Sequence, residues 1–292
     1  MILITKENSI SEIALFAYNI FCLFIALVFV SDLHIQAILI LFHLFVFIFI
    51  VLNRKVRFNT YYRLIFPAFV VLPFFNIIHF QIPFLKQQDW DLVLIEIDRI
   101  FFGGMNPAIF LSDITSPILS TIMQIVYSSF YIIPLSLLFF FVAKKQKLSL
   151  LKMTRVFVIG FLLSYVGYFI IPALGPRFYL SDDFLIPLTG NSLFYSIHNS
   201  INDLEQINWD AFPSGHTEIG VLGAILASHF KLRWRYLYWL LAIGIILSTV
   251  YLRYHYVIDI IAGILLALFV WWLDKKIEKF DAENWRKNAA DS

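Results

Sequence analysis

Three short segments carry residue types able to handle a phosphate ester. The first is Pro213-Ser214-Gly215-His216. Ser214 is of the type that caps a helix N-terminus, where free backbone N–H groups and the positive end of the helix dipole receive an anion. Gly215 lets backbone approach closely. His216 would then project beside the bound group and give a proton to a leaving oxygen. The second is the pair His255 and Asp259. Four residues apart on a predicted helix, they would share a face with Cβ atoms roughly 5–6 Å apart. A carboxylate so placed can hold one ring N–H and leave the other nitrogen as a nucleophile, the orienting logic of a catalytic triad. The third is a set of two arginines, Arg177 and Arg253, whose planar forks match phosphate oxygens. Taken singly, each has a plainer explanation: a capped helix start, a structural His–Asp pair, lipid-headgroup anchors. Charged groups at the ends of membrane spans are costly unless paired, and their convergence on one face favours chemistry.

The elements that position these residues are membrane helices. Of 292 residues, 60% are hydrophobic and 14% charged, with 32 Phe. A soluble domain has about 45–50% apolar and about 25% charged residues. Stretches near 13–30, 35–52, 62–80, 120–143, 153–171, 214–230, 236–253 and 255–273 approach the ~20 apolar residues that a span requires. The third is the weakest, interrupted by Pro67, Pro73, Asn76 and His79. The expected fold is an all-α polytopic transmembrane bundle of about eight spans with both termini cytoplasmic. Of the 22 Lys and Arg, all but Lys86, Arg99, Arg177 and Arg253 then fall on the cytoplasmic side, as the positive-inside rule requires. The first stretch lacks a small-residue cleavage site and reads as a retained helix rather than a secretory leader.

The expected organisation is N-terminal membrane helices over 1–80, a catalytic membrane unit over 81–273 and a solvated charged tail over 274–292. Outer loops lie at 81–116 and 172–212. Within the first, Trp90–Phe102 has roughly helical apolar spacing and is expected on the bilayer surface as an amphipathic helix. The second reads as an ordered loop or cap. Glu218 would contact an acceptor headgroup or favour the helix N-terminal dipole. His79 and Asn76 would satisfy a kinked span. His34 and His43 read as interfacial or packed, and His198 and His229 carry no motif. The single cysteine, Cys22, permits no intramolecular disulfide. A net charge of +2 gives no reason to expect a nucleic-acid partner.

These motifs resemble the type 2 phosphatidic acid phosphatase (PAP2) superfamily, which carries a Lys/Arg-Pro motif, Pro-Ser-Gly-His, and Ser-Arg followed by His and Asp. The second motif matches in full at Pro213–His216. The third matches at Ser248, His255 and Asp259, with Thr249 where the family usually has Arg and Arg253 as the substitute. The first is reduced to Pro176-Arg177, with Ile170 where a Lys is expected. Such departures, together with Asp98-Arg99-x-x-Phe102-Gly103 and the Tyr127–Pro134 region, are similar to the branch that includes inositol phosphorylceramide synthase. The resemblance implies attack by His255 on phosphorus to form a phosphohistidine, with Asp259 orienting it. It implies protonation of the leaving alkoxide by His216, and phosphoryl oxygens held by Arg177, Arg253, Ser214 and the Gly215 N–H. No metal and no cofactor are expected. The substrate would be a lipid phosphate or diphosphate, and the oligomeric state is left open. A lipid-phosphate phosphatase is the leading expectation, on the periplasmic face of a bacterial inner membrane. A phosphotransferase to a lipid or sugar hydroxyl would use the same residues, and a non-catalytic transporter or scaffold is a third class.

Overall fold

In a bilayer core no water satisfies backbone N–H and C=O groups, so an apolar chain of this kind must close its hydrogen bonds within helices. The computed structural model describes residues 2–55, 60–85, 88–204 and 209–290, and among them all regular structure is helical. In chain order the helices are α1 (Ile2–Val28), α2 (Leu33–Lys55), α3 (Thr60–Leu85), α4 (Asp91–Phe101), α5 (Pro107–Ser112) and α6 (Pro117–Ala143). They continue with α7 (Lys147–Ile170), α8 (Pro176–Tyr179), α9 (Ser192–Leu204), α10 (Gly215–His229), α11 (Arg235–Tyr251) and α12 (Val257–Ala290). The chain is a polytopic helical membrane protein. Among the described residues six helices are long and apolar enough to cross a bilayer: α1, α2, α3, α6, α7 and α12.

Each of the eight expected stretches coincides with a helix, yet α10 has only 15 residues and α11 only 17. At 1.5 Å per residue they rise about 23 and 26 Å, short of a ~30 Å hydrocarbon core. The reason for α10 is its position. It is buried along nearly its whole length, surrounded by α6, α7, α11 and α12. It is the central post of the bundle, and its N-terminus opens inside the molecule. The third stretch forms one continuous helix despite Pro67, Pro73 and Pro83.

Two expectations change. The segment after the last span is not simply a solvated tail. Helix α12 runs on past residue 273, and Asp274 is fully buried against Lys152 and Arg155 of α7, with Glu278 also on Lys152. Buried cations must be paired, and these carboxylates pair them. Residues 291–292 lie outside the described residues. Helix α4 forms where the amphipathic pattern predicts it, but its polarity is mixed on both faces. Its buried face joins Asp91 and Asp98 to Leu94 and Ile95, while Leu92, Val93, Ile100 and Phe101 are exposed.

The N-terminal helices α1–α3 share a buried polar junction. Asn19 and His43 pair side chain to side chain at 2.9 Å, and the Gln81 amide donates to the Cys22 carbonyl at 2.8 Å. His43 is thus packed rather than interfacial. Helices α3 and α6 each pack along α7. A mainly apolar cavity of about 330 Å³ lies between them, lined by Phe69, Leu72, Leu135 and Phe157 and reaching Gly215 and His216.

Candidate active site

The site is built where α10 and α12 begin. The Ser214 hydroxyl accepts from the Thr217 N–H at 3.3 Å, the expected N-cap. The Ser214 N–H donates to the Asp259 carbonyl at 3.0 Å, so the two helix starts are tied backbone to backbone. Gly215 serves a packing need: a Cβ there would lie 2.6 Å from the Tyr168 hydroxyl. The His216 ring is buried, with Phe130 at 4.2 Å and Tyr127 stacked at 4.4 Å between centroids. Its centroid is 6.0 Å from that of His255.

His255 is not on a helix. Helix α12 starts at Val257, and His255 sits two residues before it. Four-residue helical spacing therefore does not govern its relation to Asp259. The His255 Nδ1 donates to the Ala211 carbonyl at 2.8 Å, while the Asp259 carboxylate stands at 3.5 Å. The carbonyl fixes the proton on Nδ1 and leaves the ring's basic lone pair on Nε2. Asp259, fully buried, accepts instead from the Tyr256 N–H at 2.8 Å and caps its own helix. Its carboxyl group stands beside the ring.

The two arginines meet through backbone: the Arg177 N–H donates to the Arg253 carbonyl at 2.7 Å. The Arg177 guanidinium lies 4.6 Å over the Tyr254 ring. Arg253 adopts φ +66° in the turn after α11. Its Nη2 donates to the Ile186 carbonyl at 2.6 Å and its guanidinium lies 4.0 Å over Phe184, so this side chain pins the segment after α8. Its Nε is buried and has no hydrogen-bond partner among the described residues. Burial presses its pKa down from the ordinary guanidinium value. Thr249, at the position where an Arg was expected, turns its hydroxyl to the Ile246 carbonyl of its own helix at 2.8 Å. Gly175 has φ +83°, and a Cβ there would meet the Tyr254 carbonyl at 2.5 Å, so only glycine lets the Arg177 segment approach so closely.

Sequence reasoning gave no role to the two carboxylates that hold these segments together, although Asp98 stands in a motif it quoted. Asp91 accepts from the Leu174 and Gly175 N–H groups at 2.9 and 2.8 Å and from the Tyr256 hydroxyl at 2.9 Å. Asp98 accepts from the Val257 and Ile258 N–H groups at 2.8 and 2.9 Å, capping α12 from another helix. Burial pushes both carboxyls above the ordinary range, against the lowering effect of their donors. The signal was present: residues seven apart share a helix face, and this face also carries Leu94 and Ile95. Helix α4 thus clasps the Arg177 segment and the His255 segment together. Helix α9 covers the neighbouring side, with His198 within 3.0 Å of the Tyr254 hydroxyl. Glu218 is fully buried and bonded to Ser164 of α7, so it acts inside the bundle rather than at a surface. Among the described residues no group of three or more His, Cys, Asp or Glu side chains is placed to hold a metal.

A buried pair of histidines, a capped helix start and two arginine segments thus meet at one end of a polytopic helical membrane protein. In comparison with known proteins, a family model for the PAP2 superfamily matches residues 92–273. The chain belongs to the PAP2 superfamily, a family of membrane phosphatases and phosphotransferases. It is 25% identical over 217 residues to a PA-phosphatase related-family protein of Dictyostelium discoideum, covering 63% of this chain and 39% of that protein. It is 29% identical over 141 residues to a phosphoinositol dihydroceramide synthase of Bacteroides thetaiotaomicron, covering 44% of this chain and 46% of that one. These matches span less than half the length of either relative. No solved structure matches the chain.

Proposed function

We propose that this protein is a lipid-phosphate phosphatase acting through a phosphohistidine on the non-cytoplasmic face of its membrane. The observation that carries the reading is the pairing of two buried imidazoles, centroids 6.0 Å apart, one of which, His216, lines the end of a mainly apolar cavity. The cavity suits a hydrocarbon tail and the histidines suit the phosphate. In the first step His255 Nε2 attacks phosphorus. A P–N bond forms, the P–O ester bond breaks, and His216 gives a proton to the departing alkoxide. In the second step water attacks phosphorus, loses its proton to His216, and the P–N bond breaks. Arg177, Arg253, the Ser214 hydroxyl and the Gly215 N–H hold the phosphoryl oxygens. Asp259 stabilises the imidazolium from 3.5 Å. Phosphotransfer to a lipid or sugar hydroxyl is the second reading. It draws on the cover that α9 places beside Tyr127 and Tyr254, which would exclude water from the phosphohistidine.

The test is phosphate release by detergent-purified protein from a panel of lipid phosphates and diphosphates, with and without hydroxyl acceptors, and with His255→Ala as control. Release to water that depends on His255 supports the phosphatase. Transfer only when an acceptor is present selects the phosphotransferase. Binding without turnover, or full activity of His255→Ala, rejects both.

A further inference from the structure

His216 lies at the end of a continuous stack. The Arg177 guanidinium covers Tyr254 at 4.6 Å. The Tyr254 ring stacks on Tyr127 at 4.5 Å and 14°, and Tyr127 stacks on His216 at 4.4 Å and 27°. Phe130 closes in at 4.2 Å, tilted by 43°. Tyr127 is 1% exposed and Tyr254 6%, so neither tyrosine is a surface contact. The Tyr127 hydroxyl lies 3.4 Å from His216 Nδ1.

We propose that Tyr127 is a positioning residue for His216, fixing the imidazole so that Nε2 is the atom that serves the leaving oxygen. The inference rests on the acid role of His216 given above and adds the residue that makes the role possible. The N-cap fixes the His216 Cα, but two side-chain torsions remain. Flat rings at 4.4 and 4.2 Å restrict the ring plane. The hydroxyl near Nδ1 distinguishes the two ring edges and turns Nε2 outward. The sequence supports this assignment. Tyr127 sits in mid-α6, where an aliphatic residue would serve a lipid-facing helix, and its partner Tyr254 is the residue before His255. The same two rings therefore connect the acid on α10 to the Arg177 segment, so the proton donor and one phosphate ligand are held in one register. The chemical consequence is specific. A misplaced general acid harms the departure of a poor leaving group and spares a good one, since an aryl oxide departs without a proton.

The experiment compares Tyr127→Leu, Tyr127→Met and Tyr127→Phe with the unaltered protein, full-length in detergent. Two substrates are used: phosphatidic acid, with an alkyl leaving oxygen, and 4-nitrophenyl phosphate, with an aryl one. Size-exclusion profile and thermal melting check folding, and Met, which fills the space without a flat ring, serves if the Leu variant does not fold. The expected result is that the Leu and Met variants lose about 30-fold or more in kcat/KM on phosphatidic acid, approaching the ~10²–10⁴ a positioned acid supplies; kcat/KM reports the first step, free of the phosphohistidine hydrolysis that both substrates share. Their loss on the aryl ester should stay below about 3-fold, and Tyr127→Phe should recover only part of the lost rate, because stacking persists while the hydroxyl that distinguishes the ring edges is gone. Equal losses on both substrates would mark a merely structural ring and overturn the proposal. So would an unchanged rate on phosphatidic acid. His216→Ala is the separating control. If it shows no difference between leaving groups, the acid role itself fails and Tyr127 has nothing to position. If it shows the difference while the Tyr127 variants do not, only the Tyr127 assignment fails.

Discussion

Replacing Asp98 by Ala should damage the reaction from a residue that touches no substrate. The Asp98 carboxyl is 2% exposed and caps the first two N–H groups of α12 at 2.8 and 2.9 Å. Hydrogen bonds to a charged group contribute about 1.5–3 kcal/mol each, and a carboxylate at a helix N-terminus adds about 0.3–2 kcal/mol. Water entering the space left by Asp98→Ala recovers part of this, so the net loss should be about 3 kcal/mol. His255 precedes the capped turn by two residues, and its Nδ1 bond to Ala211 has no slack at 2.8 Å. A misplacement of ~1 Å costs about 10²-fold in rate, so kcat should fall by about that factor. The assay pairs phosphate release with hydrogen exchange at the Val257 and Ile258 amides, which should lose protection. A kcat within two-fold of the unaltered protein, with exchange unchanged at those amides, would refute the reasoning. The pH dependence has a defined sign. Burial raises the Asp98 pKa, so the pH-dependent part of its contribution to stability is present below the ordinary carboxylate pKa of about 3.9 and is lost as pH rises through the raised value, while its hydrogen bonds to α12 remain. The clasp, which needs the ionised acceptor, forms over the same window. Activity should therefore gain an acidic limb there, and Asp98→Asn should remove it.

Three further outcomes follow from the geometry. Asp259→Asn should lower kcat by about 10–10²-fold, less than the ~10⁴ of a triad Asp→Asn change, because the Ala211 carbonyl still fixes the His255 tautomer; a triad-sized loss in the release assay would reverse that assignment. Gly175→Ala forces φ +83° on an L residue and drives a Cβ to 2.5 Å from the Tyr254 carbonyl, so KM should rise as the Arg177 segment is displaced; an unchanged KM would show that the segment tolerates the shift. Asp274→Ala leaves Lys152 and Arg155 short of their shared buried partner and should cost about 3–5 kcal/mol, read as a lower melting temperature in detergent, with no leaving-group effect in whatever folds.

Much of this architecture was legible because hydropathy is a strong signal over ~20 residues. Every expected stretch is a helix. The bounds of α10 and α11 were legible too, within two residues, but the burial of α10 was not, because apolar residues that pack against other helices read like residues that face lipid. The motif residues were legible by type, and the structure gathers His216, His255, Asp259 and the two arginine segments at one end of the bundle. Their detailed relations were not. His255 was read as helical because Asp259 follows at the helical interval, but the N-terminus of α12 is set by Asp98, a residue 159 positions earlier than Val257. Arg253 was read as a phosphate ligand or a headgroup anchor, and its tie to Ile186 depends on a turn with positive φ that no local pattern announces. Buried carboxylates on a helix with exposed aliphatics invert the usual pattern, which hid the role of α4.

The cavity between α3, α6 and α7 is walled in part by residues on the outside of the bundle, with Phe69 58% and Leu72 50% exposed. A tail entering there would never leave the membrane plane. For such an enzyme the meaningful substrate quantity is a mole fraction in the lipid or micelle, and encounter is a search in two dimensions. Adding inert detergent at a fixed amount of substrate should then slow turnover by surface dilution alone, although the bulk molarity has not changed.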